Sequence, residues 1–398
     1  ELTSSLVGSE MCIRDRDGYL DSLLFSDVSL PDCSWVSLES KVPEMIIESH
    51  MVVQPEIIIP TIDTTKHEEL LSSLLNEHRN LVLCGPPGSG KSMTLMAALR
   101  KSSEFSVASL NLSKDSSPEL ILKTLEQHCV YKKAASGTLM LPAITGKWLV
   151  LFCDEINLPS LDEYGTQTTI SFLRQISENH GFWHPKSGIW ITIENFQFVG
   201  ACNPPTDPGR NALSLRFLQQ CSVFMVDYPS NKSLDHIYTT FNYGVLKNIP
   251  DLRGFVQPLT EAMIAVYNSS RTKFNTSQKA HYIYSPRELT RWVRGIYEAI
   301  KPLNELPLLG LIRLWGHEGL RLFSDRLSEE KDRTWTYNLI KETALHSFPH
   351  VDVSEALRQP ILYSDWLSHE YLSVDDEELN NFVNERLRVF NEEEINAS

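Results

Sequence analysis

The sequence predicts an α/β protein in which helices flank a parallel five-stranded sheet, followed by a smaller all-helical lobe. Three observations carry this expectation. Five short apolar runs alternate with helical stretches, a glycine-rich loop follows the first run directly, and strand signals nearly vanish after Pro229.

The apolar runs are LVLC (81–84), FSVASLNL (105–112), WLVLFC (148–153), FQFVGAC (196–202) and CSVFMVDY (221–228). Between them SMTLMAALR, SPELILKTLEQH, TQTTISFLRQI and LSLRFLQQ carry apolar residues three and four apart. Strands alternating with helices imply repeated βα units and hence a parallel sheet. Ser117 before Pro118 supplies a helix cap and first position, and FWHPKSGIWITI (182–193) reads as a hairpin inserted before the fourth strand. Past Pro229 the clearest helix is SPRELTRWVRGIYEAI, where Leu289, Trp292, Val293, Ile296, Tyr297 and Ile300 share one face. Ser285 and Glu288 form a capping box there, which fixes Arg287 in the first turn.

With 398 residues the chain can hold two or three cores, and 42% hydrophobic with 22% charged residues is ordinary globular usage. A formal charge of −15 disfavours a nucleic-acid partner, since phosphate backbones need basic surfaces. No apolar run is long enough to span a bilayer and the start lacks the order of a signal peptide, so no membrane partner is expected. Seven cysteines without a CxxC pair argue against a disulfide framework or a zinc site, and Cys84, Cys153 and Cys202, each ending an apolar run, read as small buried hydrophobes. The expected organisation is a foreign leader over 1–16, a connector over 17–50, a large α/β lobe over 51–228, a small helical lobe over 229–372, and a further connector from 373 to 398.

The chemistry concentrates at three strand ends. GPPGSGKS (Gly85–Ser92) has the G-x-x-x-x-G-K-[ST] spacing, after a strand and before a helix. Gly85, Gly88 and Gly90 let backbone N–H groups turn inward around phosphate oxygens, and Pro86, Pro87, Ser89 and Met93 complete the loop and its exit. Lys91 is expected on the β and γ phosphates of ATP or ADP, and Ser92 on Mg²⁺. WLVLFCDEIN puts two acids at a strand end, Asp154 for the Mg²⁺ shell and Glu155 to orient and deprotonate water. Asn203, closing the fourth run in VGACNPPTDPGR, is suited to positioning that water, though Asn before two prolines also suits a turn. Arg287 could reach a phosphate from the helical lobe or stand solvated at its helix end. EIIIPTIDT (56–64) precedes the loop at the distance of a segment that covers adenine, and core packing accounts for Ile58 and Ile59 equally well.

The order P-loop, DEIN, CNPPTDPGR, RF and YSPRELTRWVRG resembles the dynein heavy chains from about Val52 onward. LCGPPGSGKSMTL, LVLFCDEINLP, YGTQ and RQPILYSDWL look most like the third module of the cytoplasmic class. The resemblance implies a P-loop AAA+ module with a helical lid, one of six in a ring that powers minus-end movement on microtubules, the third acting as a regulatory ATPase. It implies a cytoplasmic, microtubule-associated complex with neighbouring AAA+ modules and light, intermediate and associated chains as partners. Microtubules would be reached only through a stalk, and no long heptad pattern for one is present. Arg216 in LSLRFLQQ falls where ring-forming AAA+ modules present an arginine finger to the neighbour's nucleotide, a surface ion pair being the alternative. Two rival functions share the Walker residues: a module that holds nucleotide without turnover, and a AAA+ remodelling ATPase. The tail places Leu379, Phe382, Val383, Leu387 and Phe390 on one helical face, as the lead into a next module.

Overall fold

The computed structural model describes residues 26–29, 34–54, 57–134, 137–303 and 305–397. The expected leader over 1–16, and residues 17–25 of the connector, lie outside the described residues. The chain divides into two units, Glu1–Glu44 with Pro60–Ser230 and Met45–Ile59 with Asn231–Ser398.

The first unit is built on strands β1 (Leu81–Cys84), β2 (Phe105–Asn111), β3 (Trp148–Asp154), β4 (Phe196–Cys202) and β5 (Ser222–Met225). All neighbours run parallel, in the order β5-β1-β4-β3-β2. These are the five runs expected from the sequence. The central strands β1, β3 and β4 are covered on both faces and so read as near-continuous apolar runs, whereas edge strand β5 exposes Val223 and Met225. Successive residues serve opposite layers. Leu81, Leu83, Val150, Phe152, Val199 and Ala201 pack with Leu71, Leu75, Leu95 and Leu99 of helices α1 (Ile62–Asn76) and α2 (Lys91–Lys101). Val82, Leu149, Leu151 and Phe198 pack with Ile121, Leu125, Ile170 and Leu173 of α3 (Pro118–His128) and α4 (Thr168–Asn179). LSLRFLQQ, expected as a helix, forms only the single turn Leu215–Leu218, with Phe217 buried.

The inserted hairpin is present, Phe182 pairing Ile191 and Trp183 pairing Trp190. It belongs to a larger element than the sequence suggested. Cys129–Ala134 and Gly137–Pro142 form a second hairpin, which joins through Thr138–Met140 to Ile191–Ile193 in a four-stranded sheet.

The second unit is helical: α5 (Asn231–Leu246), α6 (Val256–Lys273), α7 (Pro286–Ile300), α8 (Leu308–Phe323), α9 (Glu330–Ser347) and α10 (Asp376–Ala397). The α7 stripe is core, with Leu289, Trp292, Val293, Ile296 and Ile300 buried. Trp292 stacks on Trp315 at a centroid separation of 5.3 Å and donates its indole N–H to the Trp315 carbonyl at 3.0 Å. Glu288 Oε2 accepts from the Ser285 backbone N–H at 2.8 Å and hydroxyl at 2.9 Å, closing the α7 N-terminus. Residues 51–54 and 57–59, grouped by sequence with the α/β lobe, pack here instead. Ser49 Oγ donates to Gly244 O at 2.7 Å, and Arg294 reaches the carbonyls of Val52 and Gln54. The helical run is broken by a short strand pair, Tyr363–Ser364 with Leu372–Ser373. On α10, Leu387 and Phe390 are exposed.

Candidate nucleotide site

In a parallel sheet the carboxyl ends of the strands open onto one crevice, widest where neighbouring connections diverge. Here β1, β4 and β3 lie side by side and end in Cys84, Cys202 and Asp154, so the three chemistry-bearing segments emerge together.

Gly85 leaves β1 with its N–H on Cys202 O at 3.2 Å. The loop then turns through Gly88 (φ 82°) and Gly90 (φ 90°), in the left-handed region open to glycine, and enters α2 at Lys91. Tyr228 donates its hydroxyl to Pro87 O at 3.1 Å, bracing the loop from beyond β5. Lys91 is buried, and its Nζ donates to Gly85 O at 2.7 Å, Pro86 O at 3.0 Å and Asn203 Oδ1 at 3.1 Å. Desolvation pushes its pKa down, opposed by the Asp154 carboxylate and by Cys202, Glu155 and Cys84.

Ser92 donates to Asp154 Oδ2 at 2.9 Å, and the Glu155 backbone N–H donates to Asp154 Oδ1 at 2.9 Å, so both carboxylate oxygens are held. Asn203 is 6% exposed and its carbonyl accepts from Asn157 Nδ2 at 2.7 Å, tying the end of β4 to the DEIN turn. Glu155 adopts φ 58°, a left-handed conformation that glutamate rarely takes. Its Oε2 is paired with Arg210 Nη1. The Arg210 loop is stitched to the same turn, because Asn211 N donates to Asn157 O at 3.0 Å and Asn211 Nδ2 to Pro159 O at 3.0 Å.

The loop fits a phosphate group on three counts. Ser89 Oγ is buried without a hydrogen-bond partner, Lys91 presents a buried ammonium, and a Cβ at Gly85 would meet Val226 O at 2.0 Å, so only glycine lets the backbone enter here. Ser92 and Asp154 are oxygen donors of the kind Mg²⁺ takes one or two of, keeping water and phosphate in its remaining positions.

The structure thus brings Gly85, Ser89, Lys91, Ser92, Asp154, Glu155 and Asn203 together. Met93 follows on α2 and is 42% exposed. Arg216 is exposed, and among the described residues it makes no ion pair or side-chain hydrogen bond. Ile59 lies buried in the core of the helical unit, and Arg287 is exposed in the first turn of α7. Arg210 was not singled out by sequence; its signal was a charged residue closing the turn-forming TDPG run after Asn203. Of the cysteines expected to be buried, Cys153 and Cys202 are, whereas Cys84 is half-buried.

Residues 47–229 match the family described as P-loop containing dynein motor region, and residues 241–333 match the dynein heavy chain ATPase lid domain. The cytoplasmic dynein heavy chain of Fusarium vanettenii is 52% identical over 376 residues, 94% of this chain. Those of Drosophila melanogaster and Dictyostelium discoideum are 52% and 51% identical over 91% and 94% of it. The chain belongs to the dynein heavy chains. It is a P-loop AAA+ ATPase module with a dynein lid, and nucleotide binding follows from that membership. It spans 9% of the Fusarium heavy chain and 8% of the other two. Within the dynein match lie every P-loop and DEIN residue and also Arg210; the lid match takes in Arg287.

Proposed function

We propose that this chain is the third AAA+ module of a cytoplasmic dynein heavy chain, a regulatory site that binds and hydrolyses ATP within a ring serving minus-end movement on microtubules. The observation that carries it is the convergence of Lys91 with Asn203 at 3.1 Å and Ser92 with Asp154 at 2.9 Å, beside Glu155. Lys91 binds the β and γ phosphates when it leaves the loop carbonyls, and Ser89 Oγ and the Gly85–Ser92 backbone hold the remaining phosphate oxygens. Ser92 and Asp154 would hold Mg²⁺, which would supply charge neutralisation at the phosphates. Glu155 takes the proton of the attacking water, and Asn203 orients that water. Ile59 and Arg287 contribute from the lid side, and Arg216 acts on a neighbouring module's nucleotide.

The α/β lobe (51–228 by sequence, Pro60–Ser230 by packing) and the helical lobe to about 372 form the module. Residues 17–50 and 373–398 connect it to neighbours. Adjacent modules and the associated chains are its partners, the cytoplasm its location, and microtubules are reached through another part of the heavy chain. The names of the relatives and the intact DEIN acids support these assignments.

Replacing Glu155 with Gln tests the central step. ATP should still bind at this site while hydrolysis there stops; surviving site-specific turnover would remove Glu155 from the reaction. One observation favours a second reading, a module that holds nucleotide without turning it over: Arg210 engages the Glu155 carboxylate. Single-turnover phosphate release from this site separates the two.

A further inference from the structure

Cys84 and Cys202 end adjacent parallel strands and are paired in register across them. Register partners in neighbouring strands lie about 4.8 Å apart and point to the same face, inside the roughly 4.4–6.8 Å of Cα separation that a disulfide spans. Both thiols are free, and both side chains lie on the sheet face that packs with Leu125 and Phe198. No other described cysteine has this setting: Cys153 stands opposite Gly200, while burial raises the thiols of Cys129 to about 11 and Cys221 to about 12.

The pair is asymmetric. Cys84 is half-buried, and the neighbouring Cys202 thiol, helped by the Lys91 ammonium, lowers its pKa to about 7. Cys202 is 5% exposed, and its thiol is raised by the neighbouring Cys84 thiol and by burial. An accessible thiolate beside a buried thiol is the arrangement in which one sulfur is oxidised and the other resolves it. Each cysteine also abuts a functional residue. Gly85 follows Cys84 and opens the P-loop, and Asn203 follows Cys202.

We propose that Cys84 and Cys202 form a reversible thiol–disulfide switch at the base of the nucleotide site, driven by hydrogen peroxide. The consequence for nucleotide rests on the ATP-site reading above; the bond itself does not. The Cys84 thiolate attacks one peroxide oxygen, the O–O bond breaks, and hydroxide leaves and takes a proton as water, giving a sulfenic acid. The Cys202 sulfur then attacks the sulfenic sulfur, the S–O bond breaks, and a second water leaves with the thiol proton. The sulfurs lose two electrons and the peroxide gains them. Side chains pointing in parallel from register partners must twist to bond, which makes such a bridge labile to thiols rather than permanent. Closing it draws the Gly85 and Asn203 backbones together and misplaces the loop by a fraction of an ångström, enough to weaken nucleotide binding by about tenfold.

The test uses the intact heavy chain carrying this segment, treated with hydrogen peroxide, alkylated and digested without reductant. A peptide pair linked through Cys84 and Cys202 should appear, vanish on adding dithiothreitol, and be absent from Cys84→Ser and from Cys202→Ser. In Cys202→Ser, Cys84 should be trapped as a sulfenic acid adduct. Photolabelling of this segment by 8-azido-ATP should fall about tenfold on oxidation and return with dithiothreitol. Cys84 reacting no faster than Cys221, or oxidised Cys84 with no link to Cys202, overturns the switch. A link that forms without changing photolabelling overturns its action on nucleotide. Absence of photolabelling in the reduced protein while the link still forms instead defeats the ATP-site reading.

Discussion

Gly85→Ala adds one methyl group at the entrance to the P-loop, and the structure sets what it meets. An ideal Cβ would lie 2.0 Å from Val226 O, 3.0 Å from Val226 C and 3.2 Å from Ser89 Oγ, where ordinary contact begins at 3.4 Å. The gap to β5 must therefore open by about 1.4 Å at a backbone carbonyl, which has no rotamer to retreat into. That carbonyl is fixed by its own residue, because Val226 N donates to Cys84 O at 2.8 Å beside the Met225–Cys84 register pair. Overpacking of this kind costs about 1–3 kcal/mol, and losing the hydrogen bond adds about 1 kcal/mol. Gly90→Ala is the control. Its φ of +90° makes alanine strained, but the nearest atom is 3.9 Å away, so only the left-handed backbone is penalised, by about 1–2 kcal/mol. Urea unfolding followed by circular dichroism, with nucleotide binding alongside, compares the two. Gly85→Ala should have the lower midpoint and the weaker binding; a midpoint at or above that of Gly90→Ala would refute the steric account.

Arg210→Ala frees the Glu155 carboxylate, and with a partly buried ion pair near 1 kcal/mol, single-turnover phosphate release at this site should rise about fivefold. Unchanged or slower release would mean that Arg210 supports Glu155 rather than restraining it. Trp292→Phe leaves the Trp315 carbonyl without its indole donor and should cost about 1–2 kcal/mol in thermal unfolding. Trp315→Phe should cost less, since the Trp315 indole N–H is buried with no partner to lose. Burial pushes the His317 pKa below its ordinary 6.5, so the unfolded chain binds the proton more readily and stability falls as pH drops through 6.5. Urea midpoints at pH 7.5 and 5.5 should differ less for His317→Gln than for the native chain.

The parallel sheet was legible because burial on both faces leaves no polar position in LVLC or WLVLFC to blur the run. P-loop and DEIN residues were legible for a related reason: each directly follows such a run, and parallel strands end on one side. The 129–142 hairpin was hidden. Val130 and Tyr131 are exposed, Lys132 and Lys133 face solvent, and the pattern is neither a continuous run nor a clean alternation. The Arg210–Glu155 pair was hidden because it depends on how a Pro- and Gly-rich loop folds back, which no periodicity encodes. The packing of 51–54 on α5 and α7 likewise rests on contacts such as Arg294 with Val52, 242 residues away in sequence.

The left-handed backbone at Glu155 has a consequence for how this chain tolerates change. A glutamate at φ 58° is held against its own preference by about 1 kcal/mol, whereas glycine would sit there without strain. Selection for folding alone would therefore drift this position toward glycine or asparagine. Glu155→Gly should make this unit slightly more thermostable, while removing the group to which the proposed function assigns the water's proton.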